Sequence, residues 1–215
     1  MPLKKRDFIE IEFTGKIKEG NVFDSNIKND IQKAKLNLDA KPFVFCLGEG
    51  MFLKGVDDFL VGKEIGKYEI ELKPEDAFGN RNTKFIQVVP IKIFHQQKTN
   101  PVPGTLFNFD GRVAKILSVS GGRVIVDFNH PLAGKTIIYN VDISRKIDDM
   151  NEKTKAMIDF FTKKDFKFSV ENKKLVIEAD SQFGEFLKLF KDKFKEILDL
   201  DLEIKEIQRA EVEKK

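Results

Sequence analysis

The sequence predicts an α+β protein: an antiparallel β-sheet with a short helix, a small β-rich insert, and an α+β unit at the carboxyl end. Three observations carry this prediction. Apolar and charged residues alternate with period two in several short segments, as in strands with one wet face. The pattern turns apolar and β-branched near residue 84, and helical near residue 148. We therefore expect three parts, which are 1–83 with 131–149, then 84–130, and finally 150–215.

The first part opens with DFIEIEFTGKI at 7–17, whose alternation predicts a strand. Gly20 and Asn21 favour a hairpin directly after it. The other expected elements of this part are a strand at 42–50, a short helix at 51–62, a strand within 68–79 that Pro74 ends, and a strand at 135–143.

The inserted part contains the apolar run 84–94, which Pro90 interrupts, and a turn cluster at 99–104. Two alternating segments, 106–119 and 123–129, follow and are joined by Ser-Gly-Gly, which is a hairpin signal. The insert therefore reads as a small β-rich unit.

The carboxyl-terminal part is expected to hold a helix at 151–163, a hairpin at 167–179, a helix at 181–199 and a strand at 201–208. The apolar residues of the second helix share one stripe, which we interpret as core: Phe183, Phe186, Leu187, Phe190, Phe194, Ile197 and Leu198.

The composition excludes several classes of function. The 38 basic residues are interleaved with 35 acidic ones, so the chain lacks the basic field that a nucleic-acid-binding protein needs. No window is long and apolar enough to span a bilayer, and the amino-terminal stretch shows no apolar signal-peptide core. We therefore expect a cytoplasmic protein. Cys46, the only cysteine, lies in an apolar run and is interpreted as a small core residue.

The common catalytic motifs are missing from the sequence. It has no phosphate loop of the GxxxxGK type, no HExxH, no CxxC and no GxSxG. The two histidines stand far apart in the chain, which argues against a histidine-based metal site, so we expect neither a metal nor a cofactor. The sequence is instead rich in phenylalanine, with 21 residues against two tyrosines and no tryptophan. This surplus favours an aromatic-lined pocket, although most of these rings must be ordinary core.

Four blocks together resemble the FKBP-type peptidyl-prolyl cis-trans isomerases. They are FTGKIKEGNVFDSN (13–26), KPFVFCLGEGMFLKGVDDFLVG (41–62), KPEDAFGNR (73–81) and VDFNHPLAGKTIIYNVDI (126–143). They follow one another in the family's order and cover about residues 5–145. The last block is similar to the SlyD-like branch, in which a flap domain is inserted near the active site. Residues 150–215 carry no such resemblance.

The resemblance implies an enzyme that rotates X-Pro bonds in unfolded or partly folded proteins without a cofactor. Imide rotation needs no nucleophile, and a dry aromatic pocket would favour the twisted amide. By resemblance, Asp24 is the one charged group near the rotating bond; without the family context it reads as a turn cap. The implied catalytic residues are Asp24, Phe13, Phe78 and Tyr139, and the implied substrate-binding residues are Phe23, Phe43, Phe52, Leu53 and Val56.

Three positions depart from the family pattern. Phe13 stands where the family commonly has a tyrosine that bonds the aspartate, so we expect Asp24 to bond water or a backbone donor instead. Phe78 replaces a tyrosine that typically binds a substrate carbonyl, which implies a weaker grip on short peptides. Val56 replaces a common tryptophan, which implies a wider pocket floor.

By resemblance, the segment 84–130 is a chaperone flap that captures unfolded polypeptide. An alternative stays open, in which the chain is mainly a holdase on the FKBP scaffold with little isomerase activity. A further hypothesis gives residues 150–215 a role in assembly as a homodimer. The candidate flap residues are Val88, Val89, Ile91, Ile93, Phe94, Leu106 and Phe107, of which half or more could instead form the insert's own core.

His130 lies in NHPLAG, where the chain returns from the insert. Pro131 restricts His130 to an extended backbone and Gly134 allows a turn, so we interpret His130 as a loop residue with a positional role. SlyD-like proteins often carry a histidine-rich metal-binding tail. This sequence has EVEKK at 211–215, so no metal function is carried over.

Overall fold

The computed structural model describes residues 1–109 and 111–207, and its helices and antiparallel sheets confirm the α+β class. The chain divides into two compact units. The first comprises Met1–Lys16, Gly20–Ile70 and the chain from Ile138 onward, and the second comprises Ile17–Glu19 and Glu71–Ile137. The carboxyl-terminal part thus groups with the amino-terminal one, and the three-part division stays a prediction. Gln208, the end of the last predicted strand, and the EVEKK segment lie outside the described residues.

The described residues form strands and helices that are numbered in chain order. The strands β1 to β12 are Phe8–Ile17, Val22–Ser25, Phe43–Cys46, Lys67–Leu72, Ile86–Pro90, Leu106–Phe109, Arg112–Ser120, Arg123–Asp127, Ile137–Ile147, Phe168–Glu171, Lys174–Ala179 and Asp201–Glu206. The helices α1 to α6 are Lys28–Ala34, Lys54–Leu60, Ile91–Gln96, Met150–Thr162, Ser181–Lys188 and Lys191–Leu198. None of these helices has the length and hydropathy that crossing a bilayer requires.

The first unit is built on a five-stranded sheet of order β2-β1-β9-β4, in which β3 also pairs with β1. The predicted alternation of β1 is confirmed, because Ile9, Ile11 and Phe13 are buried while Glu12 between them is exposed. Both β2 and β3 pair with β1, at its two halves. Residues from three strands therefore converge near Phe13.

A buried amide fixes the chain where β1 meets the segment after β2. The Asn26 side chain accepts the backbone N–H of Phe13 at 2.7 Å. It donates to the carbonyl oxygens of Ile11 and Lys41 at 2.9 and 3.1 Å. Because Asn26, Phe13 and Ile11 are buried, removing the amide would leave the Phe13 N–H and the Ile11 carbonyl shielded from water. These bonds hold the chain that follows β2 against β1.

The carboxyl-terminal apolar stripe forms two helices where one was predicted. The backbone N–H groups of Leu189 and Phe190 bond carbonyls three residues back, at 3.2 and 3.0 Å, and this tighter turn separates α5 from α6. Leu187 and Phe194, on either side of the break, are both fully buried. Phe190 stacks on Phe161 of α4 with ring centroids 4.2 Å apart. No glycine or proline marks the break, so the apolar pattern alone predicts one continuous helix.

The second unit contains a four-stranded sheet of order β5-β8-β7-β6. Its buried core consists of Phe94, Ala114, Ile116, Val124 and Val126. Phe94 comes from α3, which begins directly after Pro90 and was not predicted within 84–94. The predicted segment 106–119 is two strands, because the chain reverses between Phe109 and Arg112, where Gly111 has a φ of +88°.

Asn26→Ala tests the buried amide. We expect the free energy of unfolding to fall by roughly 2–4 kcal/mol, because a buried N–H and two carbonyls lose their partner. Urea denaturation measures this. The matched control is Asn140→Ala, at an exposed position on β9, for which a change of about 0.5 kcal/mol or less is expected. Equal losses in the two variants would contradict the account of Asn26.

Candidate active site

An aromatic cluster surrounds Phe13 in the first unit. The ring centroids of Phe52 and Tyr139 lie 4.9 and 5.9 Å from that of Phe13. Phe52 also contacts Phe43 at 5.6 Å and Tyr139 at 5.5 Å. Phe23 packs edge-on against Tyr139 at 5.8 Å. The fold thus brings five of the sequence-predicted site residues into one cluster.

Two more predicted residues belong to the start of α2. Leu53 precedes its first turn and is half-buried, and Val56 within that turn is fully buried. The carboxylate of Asp57 anchors the helix by accepting the backbone N–H of Gly48 at 2.6 Å and of Gly50 at 3.2 Å. Burial raises the pKa of Asp57, and these two bonds oppose the shift. Sequence reasoning missed Asp57, for which GEG ahead of a short helix was the available signal.

Asp24 lies beside the cluster, and its partner differs from the expected one. The Tyr139 hydroxyl donates to Asp24 Oδ2 at 3.1 Å. The backbone N–H of Ser25 bonds the same carboxyl group. The expected backbone donor is therefore present, but the expectation that it or water would stand in for a tyrosine hydroxyl was wrong. A tyrosine on β9 supplies the hydroxyl that Phe13 lacks.

Burial sets the electrostatics of this pair. It raises the pKa of Asp24, while the hydrogen bonds from Tyr139 and Ser25 act in the opposite direction. Burial, together with the neighbouring carboxylate, raises the pKa of the Tyr139 hydroxyl, which therefore stays protonated and remains a donor at neutral pH. The site thus presents one carboxyl group of fixed orientation beside apolar rings.

Gly15 sets how closely the rings approach β1. A Cβ at this position would lie 2.8 Å from Tyr139 Cε1 and 3.1 Å from Phe23 Cζ, which is closer than side-chain atoms normally pack. The pairing of β1 with β2 shifts register between Gly15 and Lys16. Sequence reasoning missed this position, although a glycine inside an alternating strand is a signal of a bulge or a close approach.

Phe78, the remaining predicted catalytic residue, belongs to the second unit. Its ring stacks on the imidazole of His130, with centroids 4.5 Å apart and planes 6° from parallel. His130 Nδ1 accepts the backbone N–H of Leu132 at 3.2 Å, and the Gly134 N–H donates to the Gly79 carbonyl at 2.8 Å. His130 is thus an exposed loop residue, as predicted, and its ring contacts Phe78.

The predicted flap residues lie on both sides of the second unit's sheet. Those in or against the core cluster are Val89, Ile91, Phe94 and Phe107, and the exposed ones are Val88, Ile93 and Leu106. The complete burial of Phe94 contradicts its assignment to a peptide-binding surface. Two further exposed residues, Val113 and Ile125, were missed, because both faces of these strands carry apolar residues and only the register separates them.

In the part of the chain that the structure describes, neither the Cys46 thiol nor a metal-binding cluster offers a second site. Cys46 is fully buried, as predicted, and burial raises the pKa of its thiol to about 12, so it is not a nucleophile at neutral pH. Among the described residues, no group of three or more His, Cys, Asp or Glu side chains is placed to hold a metal ion. The cluster around Phe13 can bind an apolar ring and offer it one oriented carboxyl group.

Known proteins and protein families are similar to parts of this chain. A family model described as FKBP-type peptidyl-prolyl cis-trans isomerase matches residues 2–95, and one described as the IF domain of FKBP26 matches 87–132. A short-type peptidyl-prolyl cis-trans isomerase of Methanocaldococcus jannaschii is 28% identical over 66% of this chain and 92% of its own. An FKBP-type 16 kDa peptidyl-prolyl cis-trans isomerase of Escherichia coli is 30% identical over 62% and 86%. The FKBP-type isomerase SlyD of Pasteurella multocida is 32% identical over 48% and 54%.

The chain belongs to the FKBP-type peptidyl-prolyl cis-trans isomerase family. It is accordingly an isomerase of peptidyl-prolyl bonds in polypeptide substrates, and SlyD proteins are among its relatives. The resemblance found in the four sequence blocks is confirmed at the level of the family.

Asp24→Asn tests the electrostatics of the buried carboxyl group. Because burial raises the pKa of Asp24 in the folded state, its contribution to stability is present below the unfolded pKa and is lost as pH rises through the folded pKa. Asparagine keeps an oxygen for Tyr139 and carries no charge. We expect the variant to match or exceed the wild type in free energy of unfolding at neutral pH, and to lose this advantage as pH falls. Urea denaturation over a pH series measures this; a wild type that is clearly more stable at neutral pH would contradict it.

Proposed function

We propose that the aromatic cluster around Phe13 binds the prolyl ring and that Asp24 is the charged group beside the rotating bond. The observation that supports this is a single hydrogen-bonded carboxyl group next to rings that are otherwise apolar. Phe78 remains a predicted catalytic residue that rests on the family resemblance. Phe43, Leu53 and Val56 are proposed to line the pocket.

The chemistry needs no bond to break. Resonance in the planar imide gives a barrier of about 18–20 kcal/mol, and water stabilises this dipolar planar form. Rings in place of water remove that stabilisation, so the twisted form is disfavoured less than it is in solution. Each preference of about 1.4 kcal/mol for the twisted form gives about a tenfold faster exchange. The Tyr139 hydroxyl holds the Asp24 carboxyl in place beforehand, so no reorganisation accompanies the rotation.

A second role is proposed for the open face of the second unit's sheet, namely the capture of unfolded polypeptide. Val88 and Ile125 pair directly across β5 and β8 on this face, and Leu106 and Val113 on β6 and β7 are exposed as well. Val88 and Leu106 are 62% and 61% exposed. Neighbouring exposed apolar side chains on an ordered sheet suit an extended, apolar chain. The holdase alternative would rest on this same face.

Assembly through the carboxyl-terminal part remains a proposal. Leu189, at the turn between α5 and α6, is 76% exposed, and Phe186 of α5 is exposed beside it. Two apolar side chains at one turn form a small surface.

Tyr139→Phe tests the proposed isomerase site, because it removes only the hydroxyl. We expect kcat/KM for a proline-containing tetrapeptide to fall about tenfold, since Asp24 loses the donor that orients it. A protease-coupled isomerisation assay measures this. The matched control is Tyr68→Phe, whose hydroxyl donates to the Glu64 carbonyl at 2.8 Å outside the cluster, and it should keep wild-type turnover. Similar losses in both tyrosine variants would defeat the proposal.

Val88→Ser combined with Ile125→Ser tests the capture surface. The rate of proline-limited refolding of a protein, divided by tetrapeptide turnover, is expected to fall about fivefold, because less apolar surface is available to the unfolded chain. Val102→Ser, an equally polar change at an exposed loop residue, is the control and should leave this ratio unchanged. An unchanged ratio in the double variant would refute the surface. If the wild type suppresses aggregation without tetrapeptide turnover, the holdase alternative replaces the isomerase proposal.

A further inference from the structure

A groove of about 680 Å³ lies within the first unit, between the chain at the start of β3 and helix α4. One side is formed by residues 41–44, and the other by Ala156 and Phe160 of α4 together with charged neighbours. Helix α4 lies outside both segments that the family models match. The groove is therefore a feature that the carboxyl-terminal part adds to the isomerase fold.

One side chain belongs to both the groove and the proposed prolyl site. Phe43 lines the groove, and its ring also packs against Phe52 at 5.6 Å and Phe13 at 6.4 Å within the aromatic cluster. Phe43 is thus shared by the groove and the proposed prolyl site.

The groove exposes the free edge of a strand. Among the described strands, β3 pairs only with β1. The Leu47 N–H bonds the Asp7 carbonyl across this pair, and the antiparallel alternation then directs the backbone groups of Val44 away from β1. The Cys46 N–H, two residues on, follows the same alternation and bonds the sulfur of Met51 at 3.3 Å instead. Val44 lines the groove, so its N–H and carbonyl are available there to an added strand.

The groove carries an excess of positive charge. Lys155 pairs with both Asp165 at 2.5 Å and Asp159 at 3.6 Å, and Glu152 pairs with Arg145 at 2.7 Å. The lining as a whole holds four lysines against three carboxylates, so the excess is one positive charge. Three lysines that line the groove have no carboxylate within 4 Å in the described part of the chain: Lys41, Lys163 and Lys164. The ammonium groups of Lys163 and Lys164 lie over the rings of Phe160 and Phe183, at 5.1 and 4.1 Å from the ring centroids.

We propose that this groove binds the part of the polypeptide substrate that flanks its proline, as an extended strand paired with β3 and with a preference for acidic side chains. This inference rests on the proposed function, since it takes the cluster around Phe13 as the prolyl site. Backbone bonds to Val44 hold the segment, apolar side chains meet Phe160 and Ala156, and carboxylates meet the unpaired lysines. The groove thus selects substrates by the sequence beside the proline.

The test compares a proline tetrapeptide with the same peptide extended by alternating Glu and Val, on its amino or its carboxyl side. We expect kcat/KM to rise roughly fivefold for one of the two extensions, a modest gain because exposed ion pairs are individually weak. Extensions with Lys in place of Glu should give no gain. If neither Glu extension raises kcat/KM, the inference is overturned.

Charge reversal at the groove supplies the second arm. Lys41→Glu should abolish the gain from the Glu extension. Lys191→Glu, at an exposed position at the start of α6 where an acidic residue suits the helix, makes the same change of charge outside the groove and should keep the gain. A gain that survives Lys41→Glu would overturn the inference.

Binding of a proline-free peptide separates this inference from the proposed function. The extended peptide with its proline changed to alanine, followed by fluorescence anisotropy, should bind the wild type more tightly than Lys41→Glu. If Tyr139→Phe spares tetrapeptide turnover, the prolyl-site proposal fails, whereas loss of turnover without an effect of any extension refutes the groove alone.

Discussion

The hydrogen bond from the Tyr139 hydroxyl to Asp24 is the interaction on which the site depends. It joins β9 to β2 and fixes the orientation of the Asp24 carboxyl group. Burial disfavours the charged form of this group, and the hydrogen bond opposes that effect. The rest of the first unit makes this contact possible. Asn26 holds the chain after β2 against β1, and Gly15 leaves the space into which the Tyr139 ring packs. A change at any of these positions therefore acts on the same carboxyl group.

The arrangement suits a reaction that is controlled by solvation. Four phenylalanine rings and one tyrosine ring form an apolar environment, which stabilises the planar imide less than water does. The single carboxyl group is already oriented before substrate arrives. The thiol of Cys46 is buried and protonated, so it takes no part. The proposed capture surface and the proposed groove beside β3 would bind parts of the polypeptide other than the proline, which a pocket for one ring cannot recognise.

The sequence predicts the fold class, most strands and the five rings of the cluster, because period-two alternation and the four family blocks are local signals. Contacts between distant segments are not local, and there the prediction fails. The donor to Asp24 lies 115 residues away on β9, so the sequence near Asp24 could not reveal it. The faces of β5 and β8 are both apolar, so only the register separates Val88 from the core around Phe94. The break between α5 and α6 has no glycine or proline to mark it, and Phe190 at the break stacks on Phe161, which is distant in the sequence.

The pH dependence of tetrapeptide isomerisation in ordinary and heavy water tests the central claim most directly. If the site works by solvation and an oriented carboxylate, kcat/KM should be level from about pH 6 to 9 and equal in the two solvents, because no proton moves in the rate-limiting step. A bell-shaped profile in that range, or clearly slower turnover in heavy water, would show acid–base catalysis and contradict the account.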